Sequence, residues 1–214
     1  MSGSNVWSNL HEHYQDQDWI NRPNQFAETA AKYFSKSAHM LELGAGQGQD
    51  SRFFANQGFT VISTDLEQKA LDIGRSKLSA DQSKLVATKL VDLRNDLPFP
   101  DESFEAVYAH LSLHYFDHER TVHLFDEIAR VLKPSGVLAF LVNSINDPEY
   151  NTGKRLEDGY FEVGHAQKRY FSVESAGSFT GQFQAKLLDD QGETYKDAAK
   201  GVHNLIRYIG IKKA

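Results

Sequence analysis

Residues 40–50 read MLELGAGQGQD, an apolar run interrupted by Glu42 and followed by glycine at 44, 46 and 48. Glycine loses more backbone entropy on ordering than any other residue, so an ordered cluster implies a backbone shape or a close approach that side chains forbid. The run before the cluster predicts a buried strand. A helix is expected over about 47–57, closed by Gly58 just past its C-terminus. Strand, glycine loop and helix together form the first unit of an open α/β sheet, in which ligands bind beyond the carboxyl ends of the strands.

Working outward, FTVISTD (59–65) reads as a second strand, and Leu66, Ala70 and Ile73 begin the next helix. KLVATKLVDL (84–93) is a third strand and SFEAVYAH (103–110) a fourth. Val122, Phe125, Ile128, Ala129 and Leu132 give the apolar stripe of a helix over 119–132, stopped by a type I turn at KPSG (133–136). GVLAFLVN (136–143) is a fifth strand, apolar on both faces, as expected of a parallel sheet covered on both sides. Upstream, Pro23 suits the first turn of a helix carrying Phe26, Ala30, Tyr33 and Phe34. QFQAKLLDD (182–190) and VHNLIRYIGIKK (202–213) read as an antiparallel closing pair at one edge. The fold class is α/β, doubly wound and mostly parallel.

Composition bounds the function. The 214 residues suit one domain, with 40% hydrophobic residues for its core. The absence of cysteine excludes disulfides and thiolate metal sites. A formal charge of −6 makes nucleic acid an unexpected partner. No apolar run approaches the ~20 residues of a bilayer span, and the N-terminal residues lack the pattern of a secretory signal. No membrane association and a cytoplasmic location are therefore expected.

The acids narrow the ligand. A dinucleotide-binding loop has its third glycine five places after the first, and here Gln49 stands there. Glu42 would repel a pyrophosphate but attract an ammonium. Asp65, closing the second strand, is placed to accept hydrogen bonds from ribose hydroxyls. Asp92, ending the third, is placed to accept from an adenine amino group, with the Leu93 backbone donating. The helix start after the loop offers N–H groups to a carboxylate or phosphate. Ammonium, ribose and adenine together describe S-adenosylmethionine. Taken singly, Asp65 and Asp92 also suit helix or turn caps, and Glu42 suits a buried acid satisfied by a neighbouring amide.

LELGAGQGQD, VISTDLEQKAL, VDLRNDLPFPDESFEAVYAHLSLHYF and EIARVLKPSGVLAFLV, in this order and spacing, resemble the class I S-adenosylmethionine-dependent methyltransferases. KRYFSVESAGSFTG and the closing strands look like small-molecule members, including those similar to tellurite-resistance and thiopurine methyltransferases. The resemblance implies a Rossmann-like seven-stranded sheet with its last strand antiparallel. It divides the single domain, 1–214, into an N-terminal lid or helix (1–22), a cofactor-binding core (37–143) and a substrate roof with closing strands (144–214). The cofactor-binding positions it implies, with those read above, are Tyr14, Glu42, Gly44, Ala45, Gly46, Gly48, Asp65, Leu66, Asp92, Leu93 and His110. The Asn-Pro-Pro-Tyr signature of amino-group methylation on bases or glutamine is missing from AHLSLHYF.

Methyl transfer from a sulfonium needs alignment and exclusion of water, and a base only where the acceptor must lose a proton. His114 and His110 are the candidate bases, His114 the better placed. His118 and His123 read as surface or capping residues, and no metal is expected from this histidine spacing. Trp7, Tyr14 and Trp19 either cover the crevice or staple the N-terminal segment to the core. Lys154, Arg155 and Arg169 read as a solvated face in preference to an anion site. A small-molecule acceptor and the product S-adenosylhomocysteine follow, and the oligomeric state stays open. A non-catalytic cofactor- or partner-binding protein remains an alternative, and a nicotinamide-dependent oxidoreductase is disfavoured by the glycine spacing and Glu42.

Overall fold

The computed structural model describes residues 18–194 and 204–213. The calls on Trp7 and Tyr14 lie outside them, as does most of the expected lid. The helices are α1 (Gln25–Ala31), α2 (Gln49–Asn56), α3 (Gln68–Ser76), α4 (His118–Val131) and α5 (Val173–Phe179). The parallel strands are β1 (His39–Leu43), β2 (Thr60–Asp65), β3 (Val86–Leu90), β4 (Phe104–His110) and β5 (Leu132–Val142). A three-stranded antiparallel sheet follows, of β6 (Lys154–Glu157), β7 (Tyr160–Val163) and β8 (Ala166–Arg169). The chain closes with β9 (Phe183–Gly192) and β10 (Leu205–Lys212).

The large sheet has seven strands in the order β3-β2-β1-β4-β5-β10-β9. Strand order reverses between β1 and β4, which pair in parallel through Met40↔Ala106 to Leu43↔Ala109. That reversal opens the crevice where the glycine loop sits. β10 runs antiparallel to both β5 and β9. The closing pair is thus at one edge, with the reversed strand second from it and β9 outermost.

Period-two alternation distributes the core over both faces. Leu41, Leu43, Val107, Ala109, Leu138 and Phe140 pack with Leu124, Phe125 and Ile128 of α4. Met40, Ala106, Tyr108, Ala139 and Leu141, their immediate neighbours in sequence, pack with Phe26, Ala27 and Ala30 of α1 and Phe54 of α2. Glu42 shares the second face, opposite Tyr108 in the β1–β4 register.

Local differences from the sequence reading have simple causes. Pro23 precedes the helix it was expected to open, because Asn24 takes the N-cap position. The KPSG segment is not a type I turn: Ser135 has φ +63°, where that turn requires about −90°. It bulges between the Phe104↔Leu132 and Ala106↔Val137 pairs, and a Cβ on Gly136 would lie 2.8 Å from the Lys133 carbonyl. The β6–β8 sheet was not legible at all. Its strands are four residues each, too short for alternation to stand out.

Gly44 and Gly58 separate two reasons for glycine. Both have positive φ, +69° and +87°. A Cβ on Gly44 would fall 2.3 Å from the Ser112 Cβ, whereas one on Gly58 meets nothing within 4 Å. Gly58→Ala is expected to cost about 1 kcal/mol from backbone strain alone. Gly44→Ala adds steric overlap and should cost at least about twice as much. Urea denaturation of the two variants checks the order.

Candidate active site

The glycine loop is a finished shape. Gly44, Gly46 and Gly48 all occupy the left-handed region, at φ +69°, +55° and +65°. Alternating left-handed residues cannot be built cheaply from residues with a Cβ, which explains the spacing. The loop's amides are spent inside the protein. Ala45 N–H donates to the Thr64 carbonyl (2.7 Å), Gly46 N–H to Asp65 Oδ2 (2.8 Å) and Gly48 N–H to the Ala45 carbonyl (2.9 Å). A phosphate cradle needs such amides aimed outward, so these three give a pyrophosphate nothing. What remains is a side-chain-free wall.

Around that wall stand the acids. Asp65 is 9% exposed. Besides Gly46 N–H it accepts from Glu67 N–H (2.9 Å), so it caps the following turn as well as closing β2. Leu66 beside it is half-buried. Asp92 lies two residues beyond the end of β3. Its oxygens accept from Arg94 Nε (2.9 and 3.0 Å) and from the Arg94 backbone (2.9 Å), and the guanidinium pair holds its carboxyl below the usual range. Leu93 is buried next to it.

Glu42 is 3% exposed and accepts from the Ser51 hydroxyl. Burial, then the neighbouring Asp50 carboxylate, push its carboxyl well above the ordinary 4.5. Asp50 escaped the sequence reading. It is 1% exposed in the first turn of α2 and accepts from Asn24 N–H (2.7 Å), Asn24 Nδ2 (2.8 Å) and the Tyr108 hydroxyl (2.9 Å). Three donors favour its charged form against the cost of burial, so Glu42 is the member of the pair that takes up a proton. Arg52, two residues along the same helix, donates to the Gln47 carbonyl (2.8 Å) and the Ile20 carbonyl (3.0 Å). An acidic residue two places after a glycine loop was the available signal for Asp50. Its partners were not visible, since Asn24 and Tyr108 are 26 and 58 residues away.

His110 ends β4, one residue beyond the Leu43↔Ala109 pair and so level with Gly44. His114 is buried, its ring 4.3 Å from that of Tyr115, and its carbonyl accepts from Arg169 N–H (2.7 Å). His123 pairs with Asp96 at 2.7 Å on the surface. Among the described residues no three His, Asp or Glu side chains converge to hold a metal.

Arg169 departs from expectation. It is 4% exposed and not part of a solvated face. Its guanidinium pairs with Glu157, reaches the Phe116 carbonyl (3.2 Å) and the Asp158 carbonyl (3.3 Å), and lies 5.3 Å from the Tyr160 ring. Arg155 and Lys154 are exposed as expected, Arg155 pairing with Asp158 at 2.8 Å.

The chain is similar in sequence and in fold to known methyltransferases. Residues 41–140 match the family model described as a methyltransferase domain. An uncharacterized methyltransferase of Synechocystis is 34% identical over 107 residues, 50% of this chain and 48% of that protein. The malonyl-[acyl-carrier protein] O-methyltransferase of Enterobacter lignolyticus is 28% identical over 181 residues, 82% of this chain and 67% of that one. The chain spans about half the length of several such relatives. In fold it is similar to an S-adenosylmethionine-dependent methyltransferase of Methanosarcina mazei, with TM-score 0.72, 18% identity and coverage of 86% and 96%.

Two stability measurements test the acid pair. Asp50→Ala strands the Asn24 amide and Tyr108 hydroxyl inside the protein and should cost about 2–4 kcal/mol, against about 1 kcal/mol for Tyr108→Phe. Glu42 carries the opposite sign. A carboxyl raised on folding gives its full stability below the ordinary value of 4.5 and loses it as pH climbs through the raised one. Glu42→Gln removes that loss. Without cofactor, the variant should exceed wild type by about 1–3 kcal/mol at pH 8, the gap closing toward pH 4, in urea titrations across that range.

Proposed function

Since residues 41–140 form a class I S-adenosylmethionine-dependent methyltransferase domain, we propose that this protein transfers a methyl group to a small-molecule acceptor by in-line displacement. The observation that carries the reading is the glycine wall, its three amides turned inward and a buried carboxylate at its root. That donor set fits a ligand approaching by van der Waals contact with a cation at one end. It does not fit a phosphate.

In this reading Glu42 offers its carboxylate toward the ammonium end of S-adenosylmethionine, and Gly44, Ala45, Gly46 and Gly48 pass beneath the methionine moiety. Asp65 holds the ribose hydroxyls. Leu66 lies beside it. Asp92 and Leu93 frame the adenine, and Tyr14 joins from the N-terminal segment. When bound, S-adenosylmethionine supplies a methyl group already activated by the sulfonium charge. The protein's work is then to align the acceptor and exclude water. His110, level with Gly44, faces the reacting end. His114 takes the acceptor's proton where one must leave, yielding S-adenosylhomocysteine as the other product.

The acid pair gives cofactor capture a proton cost. Glu42 must be ionised to attract an ammonium, and burial beside Asp50 favours its neutral form. The arriving positive charge reverses that balance.

Calorimetric titration of S-adenosylmethionine and S-adenosylhomocysteine into wild type and Asp65→Ala tests the reading. Binding to wild type, weakened at least 10-fold in the variant, is expected. No binding to folded wild type ends it. Cofactor binding without turnover to S-adenosylhomocysteine in an acceptor screen would instead favour a binding protein on the same fold.

A further inference from the structure

A cavity of about 730 Å³ opens between α4 and α5 under the β6–β8 sheet. Its volume lies in the range of small-molecule sites, and none of the glycine-loop or cofactor-side acids lines it. Its back wall is Arg169–Tyr170. Hydrogen bonds tie the adjoining main chain to the ends of two central strands, from Arg169 N–H to the His114 carbonyl (2.7 Å) and from Phe171 N–H to the Asn143 carbonyl (2.9 Å). The cavity therefore begins near the carboxyl end of β5, beside Ile145 and Tyr170, and runs along α4 and α5 to Gly181 and Gln182 at the start of β9.

The walls select by chemistry. Val122 and Ile145, each 41% exposed, present apolar surface to the opening. Rings stand on both sides, His118 and Phe179 with centroids 5.3 Å apart on the helices, and Tyr150 and Tyr170 at 5.6 Å on the insertion. The Tyr170 hydroxyl is buried with no hydrogen-bond partner among the described residues. The charges discourage an anion. Arg169, the cation of the wall, is already paired with Glu157 and bonded to two carbonyls, while Asp158 is paired with Arg155 and Asp126 adds negative charge.

We infer that this cavity, distinct from the cofactor site of the reading above, binds an uncharged aromatic compound. Ring faces on two walls stack a flat guest. Val122 and Ile145 cover its edge, and the acidic lining rejects the carboxylate counterpart.

The test uses 2-naphthol and 2-naphthoate as probes, in calorimetry and ligand-observed NMR on the full chain. Val122→Trp and Ser178→Trp fill the cavity from exposed helix positions. Val173→Trp is the control, because Val173 is 40% exposed on α5 yet outside the cavity. Expected is saturable binding of 2-naphthol to wild type and Val173→Trp, at least 10-fold weaker binding to either filled variant, and at least 10-fold weaker binding of 2-naphthoate to wild type. Binding of 2-naphthol should persist with S-adenosylhomocysteine present. Absence of saturable 2-naphthol binding, indifference to both filling substitutions, equal or tighter binding of 2-naphthoate, or displacement by S-adenosylhomocysteine would each overturn the inference. If S-adenosylhomocysteine itself fails to bind while 2-naphthol binds as described, the methyltransferase reading falls and the aromatic site stands.

Discussion

Asp50 is a buried carboxylate that three distant parts of the chain must reach together. Asn24 arrives from the entry to α1, Tyr108 from the middle of the sheet, and Asp50 itself from the first turn after the glycine loop. A lone ion at 1% exposure would be very costly. With three donors it becomes a fixed point. It holds α1, α2 and β4 in one mutual arrangement, and Arg52 extends the same stitching to Ile20 and Gln47. The shape of the glycine loop depends on α2 starting where it does. The loop, the acid beneath it and the N-terminal approach are therefore parts of one constraint.

Much of the fold was legible because its signals are local. The alternating apolar positions of β1, β4 and β5, the helical stripe of α4 and the three glycines each state their own conformation, and the structure repeats them within a few residues. The positions of Glu42 and Asp65 followed from where strands end. What escaped was relational. Asp50 looks like any helix-start acid until Asn24 and Tyr108 are brought to it. Arg169 looks like one more surface cation until Glu157 and the Phe116 carbonyl enclose it. The β6–β8 strands are too short to announce themselves, and their neighbours along the chain are polar.

Charge sorts the two sides of the crevice differently. On the cofactor side, carboxylates stand close together, and one of them has a ready reason to be neutral until a cation approaches. On the far side the buried guanidinium is neutralised in place, so the cavity beyond it offers rings and hydroxyls in place of net positive charge. On the readings proposed above, the first arrangement suits a charged visitor and the second a neutral one, so two different molecules need not compete for one seat.

The β6–β8 insertion is fastened to the rest of the molecule through few groups: Arg169 N–H on the His114 carbonyl, the Arg169 guanidinium on the Phe116 carbonyl and the Tyr160 hydroxyl on the Tyr115 carbonyl. The demand on side-chain identity falls on Tyr160, Phe161 and Arg169, which are buried, whereas Lys154, Arg155 and Glu162 are exposed. A lineage with this architecture can rewrite the outer face of one small module and leave the centre of the sheet untouched.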